Sequence, residues 1–452
     1  MTEHYVHRSE LPVSAAEAFA WHARPGAFER LTPPWAPPEL VSREGDLRSG
    51  RVELRVPTPY GSARWVAEHD AYVEGVSFRD TQVEGPFAEW VHTHRFEALG
   101  PSSCALVDEI DYALPLGGLG RLVAGGSVHD DLVRMFRFRH QRTRDDLARH
   151  AELAGPKLRV AISGASGLVG RALTAFLETG GHEVRALVRR APRGPGEIRW
   201  DPAAGTVDRA ALEGLDALVH LAGENVGERW TDARKKAIVA SRVDGTRTLA
   251  EAILALDAPP KVWVSASAVG FYGDRGDELL DEDSAAGTGF LADTCRAWEA
   301  ETARAEPRTR VVRGRIGVVL TALGGALAKM LPPFRKGVGG VVGSGRQYTP
   351  FLSLDDLVAG ILFAIRNETL VGPVDLVAGS VTNAEFTRAL GAALSRPTFM
   401  PLPAAMIGAL FGEMGREVLL GGQRVVPKRL PEAGFRFLHP DLGALLRFEL
   451  GA

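Results

Sequence analysis

LRVAISGASGLVG (residues 158–170), a helical run, and then HEVRALVRR (residues 182–190) decide the fold. Leu158–Ser163 is apolar and ends on a small residue, as a buried parallel strand does. Gly164, Gly167 and Gly170 follow at intervals of three. Leu168, Leu173, Phe176 and Leu177 then recur near helical spacing until Gly180-Gly181 stops the helix. Val184–Val188 reads as a second buried strand. A strand, a glycine turn, a helix and a strand in about 30 residues make up a βαβ unit.

The glycines point to a nucleotide. A pyrophosphate must approach backbone N–H groups at a helix N-terminus. A Cβ in the turn blocks that approach, and one at Gly170 forces the helix off the strand. The whole loop, Gly164, Ala165, Ser166, Gly167, Leu168, Val169 and Gly170, is therefore the expected cofactor cradle. Its GxxGxxG spacing resembles the short-chain dehydrogenase/reductase superfamily, in particular its extended, epimerase-like branch. An NAD site places a carboxylate about 20 residues past the loop, on the ribose 2′-hydroxyl. This chain has Arg189 and Arg190 there, and paired guanidinium hydrogen bonds suit a 2′-phosphate. NADP is expected ahead of NAD.

Outward from this unit, 452 residues allow two or three domains, and 45% hydrophobic with 24% charged residues is a globular balance. A net charge of −3 gives no reason to expect nucleic acid or membrane as a partner. Cys104 and Cys295 are far apart, without metal-ligand spacing, and fit a reducing cytoplasm. The N-terminus lacks the apolar core of a signal peptide, and no stretch has the length of a membrane span. Nothing in the pattern specifies an oligomeric state.

Residues 1–153 carry a different pattern. His4–Leu11 reads as a strand, and Ser14 to Glu17 as a capping box opening a short helix. Six strand-like runs follow: Glu39–Arg43, Arg51–Val56, Ala63–Tyr72, Val76–Val83, Glu89–Phe96 and Ala105–Leu114. A long helix, about Asp130 to Leu153, puts Leu132, Phe136, Thr143 and Leu147 on one face. This order, with FAWHARPGAFERLTPPW (19–35) and GPFAEWVHTHRF (85–96), resembles the α+β helix-grip fold of START-like, polyketide-cyclase-like (SRPBCC) domains. That resemblance implies a curved sheet around the last helix and a cavity for an apolar ligand. His22, His69, His92 and His94 read as ordinary strand and core histidines, and no metal is expected. Trp21, Trp35, Trp65 and Trp90 read as core or cavity wall.

Beyond the loop, DALVHLAG (216–223) is a buried strand ending in glycine. In extended short-chain enzymes the matching strand end passes the adenine ribose and pyrophosphate, which implies cofactor roles for Leu221, Ala222 and Gly223. Arg242, on the next helix, is a candidate for the cofactor phosphates or a surface residue. Ser265 and Ser267 lie at the C-terminal end of the strand KVWVSAS, where open α/β sheets place ligands. The Tyr-x-x-x-Lys pair of the standard enzymes is missing: Leu291 and Cys295 stand at those positions, and leucine carries no proton. Ser267, Tyr272 and Cys295 remain as acid–base candidates.

SGASGLVG, WDPAAGTVD, HLAGENVGERW, SRVDGT, SASAVGFYG and GGALAKMLPPFRKGVGGVVGSGRQYTPFLSLDDL resemble a narrower group, atypical short-chain dehydrogenase/reductases described as epimerase-family proteins or sugar-nucleotide epimerases. The expected architecture is a Rossmann-like doubly wound α/β domain at 158–378 with a C-terminal tail at 379–452 that closes over the substrate. Lys329, Arg335, Lys336 and Arg346 around a glycine-rich loop suit an anionic substrate. Asp356, in SLDD, reads as part of a helix cap. The resemblance implies an NADP-dependent oxidoreductase or epimerase acting on a small substrate. The missing pair leaves open a non-catalytic NADP-binding sensor or scaffold.

Overall fold

The computed structural model describes residues 2–58, 61–115 and 117–452, with the backbone alone for 117–124. Two compact units divide the chain, one built in the main on residues up to Ala154 and the other on residues from Gly155 onward.

The first unit holds β1 (Glu3–Leu11), α1 (Ala15–Ala23), α2 (Ala27–Leu31), β2 (Glu39–Glu44), β3 (Arg51–Thr58), β4 (Gly61–Val73), β5 (Ser77–Glu84), β6 (Glu89–Gly100), β7 (Ser103–Ala113) and α3 (Gly117–Glu152). The strands form one antiparallel sheet in the order β1-β7-β6-β5-β4-β3-β2. Ser14 caps α1, its hydroxyl accepting from Glu17 N at 3.3 Å. Along β6 the alternate residues Trp90, His92, His94 and Phe96 are buried, the period-two signature of a one-sided sheet. Leu132, Phe136, Thr143 and Leu147 of α3 are buried too. Each of the fully buried large apolar side chains among them contributes about 1.5–3 kcal/mol. One expectation needs correcting: α3 begins at Gly117, not near Asp130. Five glycines stand in its first ten residues, each costing about 1 kcal/mol against alanine in a helix, so local preference hid these turns.

In the second unit come β8 (Arg159–Ser163), α4 (Leu168–Thr179), β9 (Glu183–Val188), β10 (Glu197–Asp201), β11 (Thr206–Val207), β12 (Ala217–His220), α5 (Asp232–Ala255), β13 (Val262–Ala268), β14 (Leu279–Leu280), α6 (Phe290–Ala303), β15 (Arg310–Ile316), β16 (Val318–Leu320), α7 (Gly325–Arg335), β17 (Tyr348–Ser353), α8 (Leu354–Arg366) and β18 (Gly372–Leu376). The main sheet runs β11-β10-β9-β8-β12-β13-β15-β18 and is parallel except for the β10–β11 pair at its edge. The chain builds outward from β8 through β9 to one side, then returns to β12 and builds to the other. The reversal falls between β8 and β12, and open α/β sheets bind ligands at such a switch point. Ser353 Oγ accepts from Asp356 N at 2.8 Å, and Asp356 in turn accepts from Leu438 N at 2.6 Å and His439 N at 3.1 Å. Asp356 thus ties a helix start to the tail.

The tail contributes β19 (Gly379–Thr382), α9 (Asn383–Leu394), α10 (Ala404–Met414), a π-helical turn (Gly415–Leu420), β20 (Arg424–Val425), α11 (Arg429–Glu432) and α12 (Leu442–Leu450). Thr382 and Glu385 form a complete capping box on α9. Among the described residues no helix is long and apolar enough to cross a membrane. Both cysteines are free and buried.

Candidate functional site

The loops after β8 and β12 meet at the switch point. Gly164 has φ +73°, in the left-handed region, and a Cβ there would stand 2.9 Å from both Leu221 C and Ala222 N. A Cβ on Gly170 would strike Gly164 O and come within 2.7 Å of Ala165 Cα. Gly167 N donates to Gly164 O at 2.9 Å, closing the turn before α4. Ser166 and Gly167 are exposed, Ala165, Leu168 and Val169 are half-buried, and Gly170 is buried. The result is a helix start wrapped in bare backbone, with Leu221 and Ala222 on its far wall.

Two residues that the sequence reading passed over hold this cradle. Ser163 Oγ accepts from Leu221 N at 3.2 Å and lies 2.6 Å from His220 Nδ1. Burial pushes His220 down to about 3, so its ring is neutral and shares a hydrogen bond with the Ser163 hydroxyl. Paired positions at the ends of two adjacent parallel strands, Ser163 opposite His220, were the available signal.

Arg189 is exposed at the tip of β9. Arg190 instead pairs with Glu197, its Nη1 donating to Oε2 at 2.7 Å. This ion pair, with the Arg193 N–H, holds Glu197 at about 2. Arg242 donates to Glu224 O at 3.0 Å and Ile238 O at 3.2 Å, so it braces the loop after Gly223. Ser265 is buried, its hydroxyl donating to Ala266 O at 3.3 Å.

The acid–base candidates fall into a buried network. Ser267 donates to Glu299 Oε1 at 2.7 Å. Arg315 clamps Glu299 with Nε at 2.9 Å and Nη2 at 3.0 Å, and donates from Nη1 to Tyr272 OH at 3.1 Å. Tyr272 OH donates to both Asp375 oxygens at 2.9 Å. Tyr272 is 0% exposed, and burial and Asp375 push its hydroxyl above the usual tyrosine range. Burial, with Glu282 nearby, raises Asp375 to about 8. Cys295 is buried and raised to about 11 by desolvation. Leu291 packs with Trp230, Phe411 and Met414. Glu417 caps α6 over that position, accepting from Phe290 N at 3.0 Å and Leu291 N at 3.1 Å.

The glycine-rich segment after α7 is stitched down. Val342 N donates to Asn383 Oδ1 at 2.8 Å, Leu402 N to Val341 O at 2.8 Å, and Gly343 N to Leu402 O at 2.9 Å. Arg335, Lys336 and Arg346 are exposed, and Lys329 donates to Gly227 O at 2.9 Å.

In the first unit, sheet and helices enclose a chamber of about 540 Å³, lined by Trp35, Leu54, Trp65, Phe87 and Trp90 and by His22, His69, Asp80, His92 and His94.

A doubly wound parallel sheet with a glycine-lined helix start at its switch point defines the second unit as a Rossmann domain of short-chain dehydrogenase/reductase type. Its residues 160–379 match the NAD dependent epimerase/dehydratase family, residues 11–137 match the polyketide cyclase/dehydrase and lipid transport family, and residues 402–449 match a domain of unknown function. An epimerase family protein of Mycobacterium bovis is 46% identical over 292 residues, 64% of this chain and 96% of the relative. The chain belongs to the epimerase family. A structure described as the nucleoside-diphosphate sugar epimerase from Corynebacterium glutamicum superposes with a TM-score of 0.81 at 35% identity, covering 99% of this chain and 90% of that one. The crystal structure of the human epimerase family protein SDR39U1 with NADPH matches with a TM-score of 0.60 at 40% identity, covering 65% of this chain and 99% of that chain.

Proposed function

We propose that the Rossmann unit binds NADP and acts as an oxidoreductase or epimerase on a small anionic substrate, with an apolar ligand held in the chamber of the helix-grip unit. The observation that carries the reading is the bare-backbone cradle at residues 164–170, where added side chains would collide with backbone. Its N–H groups would receive the pyrophosphate, Leu221–Gly223 would flank the adenosine side, and Arg189 would take the 2′-phosphate. Arg190 is committed to Glu197, so of the adjacent pair Arg189 is the arginine left for that task. The human relative's structure with NADPH points the same way. NADP supplies hydride-transfer chemistry when bound. The chain's own residues would orient the cofactor and attract an anion through Lys329, Arg335, Lys336 and Arg346. Two free, buried cysteines agree with a reducing compartment, which we take to be the cytoplasm.

One observation favours a second reading, a non-catalytic NADP-binding sensor or scaffold. Ser267, Tyr272 and Cys295 are all buried, and the hydroxyls of Ser267 and Tyr272 are spent on Glu299 and Asp375. Fluorescence titration tests the cofactor: NADPH should bind more tightly than NADH, and Arg189→Ala should cost about 10–100-fold in NADPH affinity, as a lost charge-assisted contact does. Equal affinities for the two coenzymes would refute the arginine argument. Turnover separates the readings: NADPH oxidation with any member of a carbonyl and sugar-nucleotide panel supports the enzyme, and none across the panel supports the sensor.

A further inference from the structure

We propose that Asp80, His92 and His94 form a site for a borderline divalent metal ion, of the zinc or ferrous class, in the wall of the helix-grip chamber. The expectation that these histidines are ordinary core residues took no account of the carboxylates that strand pairing brings to them.

Register supplies the constellation. His92 and His94 are two apart on β6 and so share a face. On one side Asp80 of β5 pairs with His92, and on the other Asp108 of β7 pairs with His94. Directly paired residues point the same way, so all four side chains stand on the inner face. One oxygen of Asp80 and one ring nitrogen from each of His92 and His94 lie within 4.8 Å of one another. Ligands about 2.0–2.2 Å from a zinc ion stand closer together than this, and small inward turns of the side chains close the set.

Hydrogen bonding alone does not satisfy the group. Asp80 Oδ2 is 3.1 Å from His92 Nδ1, and His94 Nδ1 is 2.5 Å from Asp108 Oδ1. Yet Asp80 Oδ2 and His94 Nδ1 are both buried without a hydrogen bond of acceptable geometry. Each atom stands beside a charged neighbour that meets it at poor hydrogen-bond angles, and an ion would supply a better-aligned partner. An ion would take the Asp80 oxygen and one ring nitrogen of His94 as ligands.

The support behind the ligands has the form that metal sites use. Asp108 Oδ1 bonds His92 Nε2 at 3.0 Å, which leaves Nδ1 for the ion on the Asp80 side. Asp108 Oδ2 is held by His140 Nε2 at 2.6 Å, and His140 Nδ1 lies 2.6 Å from Ser9 Oγ. A carboxylate behind a ligating imidazole fixes its tautomer and orientation. Arg139 is the fixed cation that feels both carboxylates and opposes the ion. Two imidazoles with one carboxylate select zinc or ferrous ion over magnesium or calcium. Asp80, His92 and His94 all line the chamber, so an open coordination position would face its interior and take water or an oxygen of an amphipathic ligand.

Zinc chloride titrated calorimetrically into the full-length, tag-free chain after dialysis against chelator provides the test. Tight binding of a single ion per chain is expected, lost in Asp80→Asn and in His94→Gln and weakened about 10–100-fold in Asp108→Asn. His4→Gln, at an exposed His–Asp pair, should leave binding unchanged. Circular dichroism identifies any variant that fails to fold. X-ray absorption on zinc-loaded wild-type protein does not depend on variants: two imidazoles with oxygen donors are expected. The proposal is overturned by a wild-type chain that binds no zinc, by folded Asp80 and His94 variants that bind it as tightly as wild type, or by a spectrum showing sulfur ligands or fewer than two imidazoles.

Discussion

Replacing Gly170 with alanine separates a working cradle from a decorative one. The added Cβ would meet Gly164 O, then Ala165 Cα at 2.7 Å and Gly164 C at 2.8 Å. All three atoms are backbone, so no side chain can swing aside. Carbon atoms pack at about 3.5–4.0 Å, which means that loop and helix must part by about 1 Å. Overpacking of this kind costs about 1–3 kcal/mol of stability. The same displacement carries the N–H groups at the start of α4 away from the pyrophosphate. Loss of two charge-assisted hydrogen bonds at about 1.5 kcal/mol each lowers affinity by about 100-fold. NADPH fluorescence titration and urea unfolding of the same preparations measure both effects. Gly194→Ala is the matched control, because a Cβ there meets nothing within 4 Å. If Gly170→Ala binds NADPH as tightly as the control does, no phosphate sits on these amides, and the functional reading built on them fails.

Three further outcomes follow from the second unit. Asp375 is raised to about 8, so between the unfolded carboxylate value near 4 and pH 8 the folded chain holds the extra proton. Stability should therefore fall by a few kcal/mol as pH rises through that window, and Asp375→Asn, which stays neutral and still accepts from Tyr272, should flatten the profile in urea unfolding; a variant curve parallel to wild type contradicts this. His220 is depressed to about 3, so the unfolded chain takes up the proton first below about pH 6.5. Its contribution, present above that pH, should be lost on acidification by ~3 kcal/mol at most, and His220→Gln should be less acid-labile than wild type in thermal melts at pH 4.5 to 7, an equal loss counting against it. Glu417→Ala removes both caps from α6 and should cost about 1–2 kcal/mol while speeding hydrogen exchange at Phe290 and Leu291; unchanged exchange there would mean that the tail does not hold the helix.

What sequence could and could not reveal divides by the range of the interaction. The β8–α4–β9 unit was readable because its determinants are local: an apolar run, glycines at fixed spacing and a helical period within one stretch. The meander of the first unit was readable from alternation and turn residues. The β10 strand was missed although Ile198 and Trp200 alternate with half-buried charged residues, because a run of five residues carries little signal. The early start of α3 was hidden by glycines. Pairings across strands were out of reach altogether: Ser163 with His220, Asp80 with His92, and Asp108 with His94 are joined by register, which one sequence does not display.

The same distinction explains why the missing tyrosine and lysine are no simple vacancy. At the tyrosine position Leu291 lies in an apolar cluster beneath the tail, and Glu417 occupies the backbone N–H groups around it. One turn from the lysine position, Glu299 is gripped by Arg315, which also holds Tyr272 against Asp375. These contacts join the ends of β13, α6, β15 and β18, and at their centre the Glu299–Arg315 ion pair is largely buried, so removing one partner leaves the other unpaired at a cost of about 3–5 kcal/mol. Leu291→Tyr with Cys295→Lys would thus put a hydroxyl under Met414 and an ammonium beside the half-buried Arg242 rather than rebuild a proton relay. The exposed cations Lys329, Lys336 and Arg346, which lie outside this helix, are suited by charge to hold an anion.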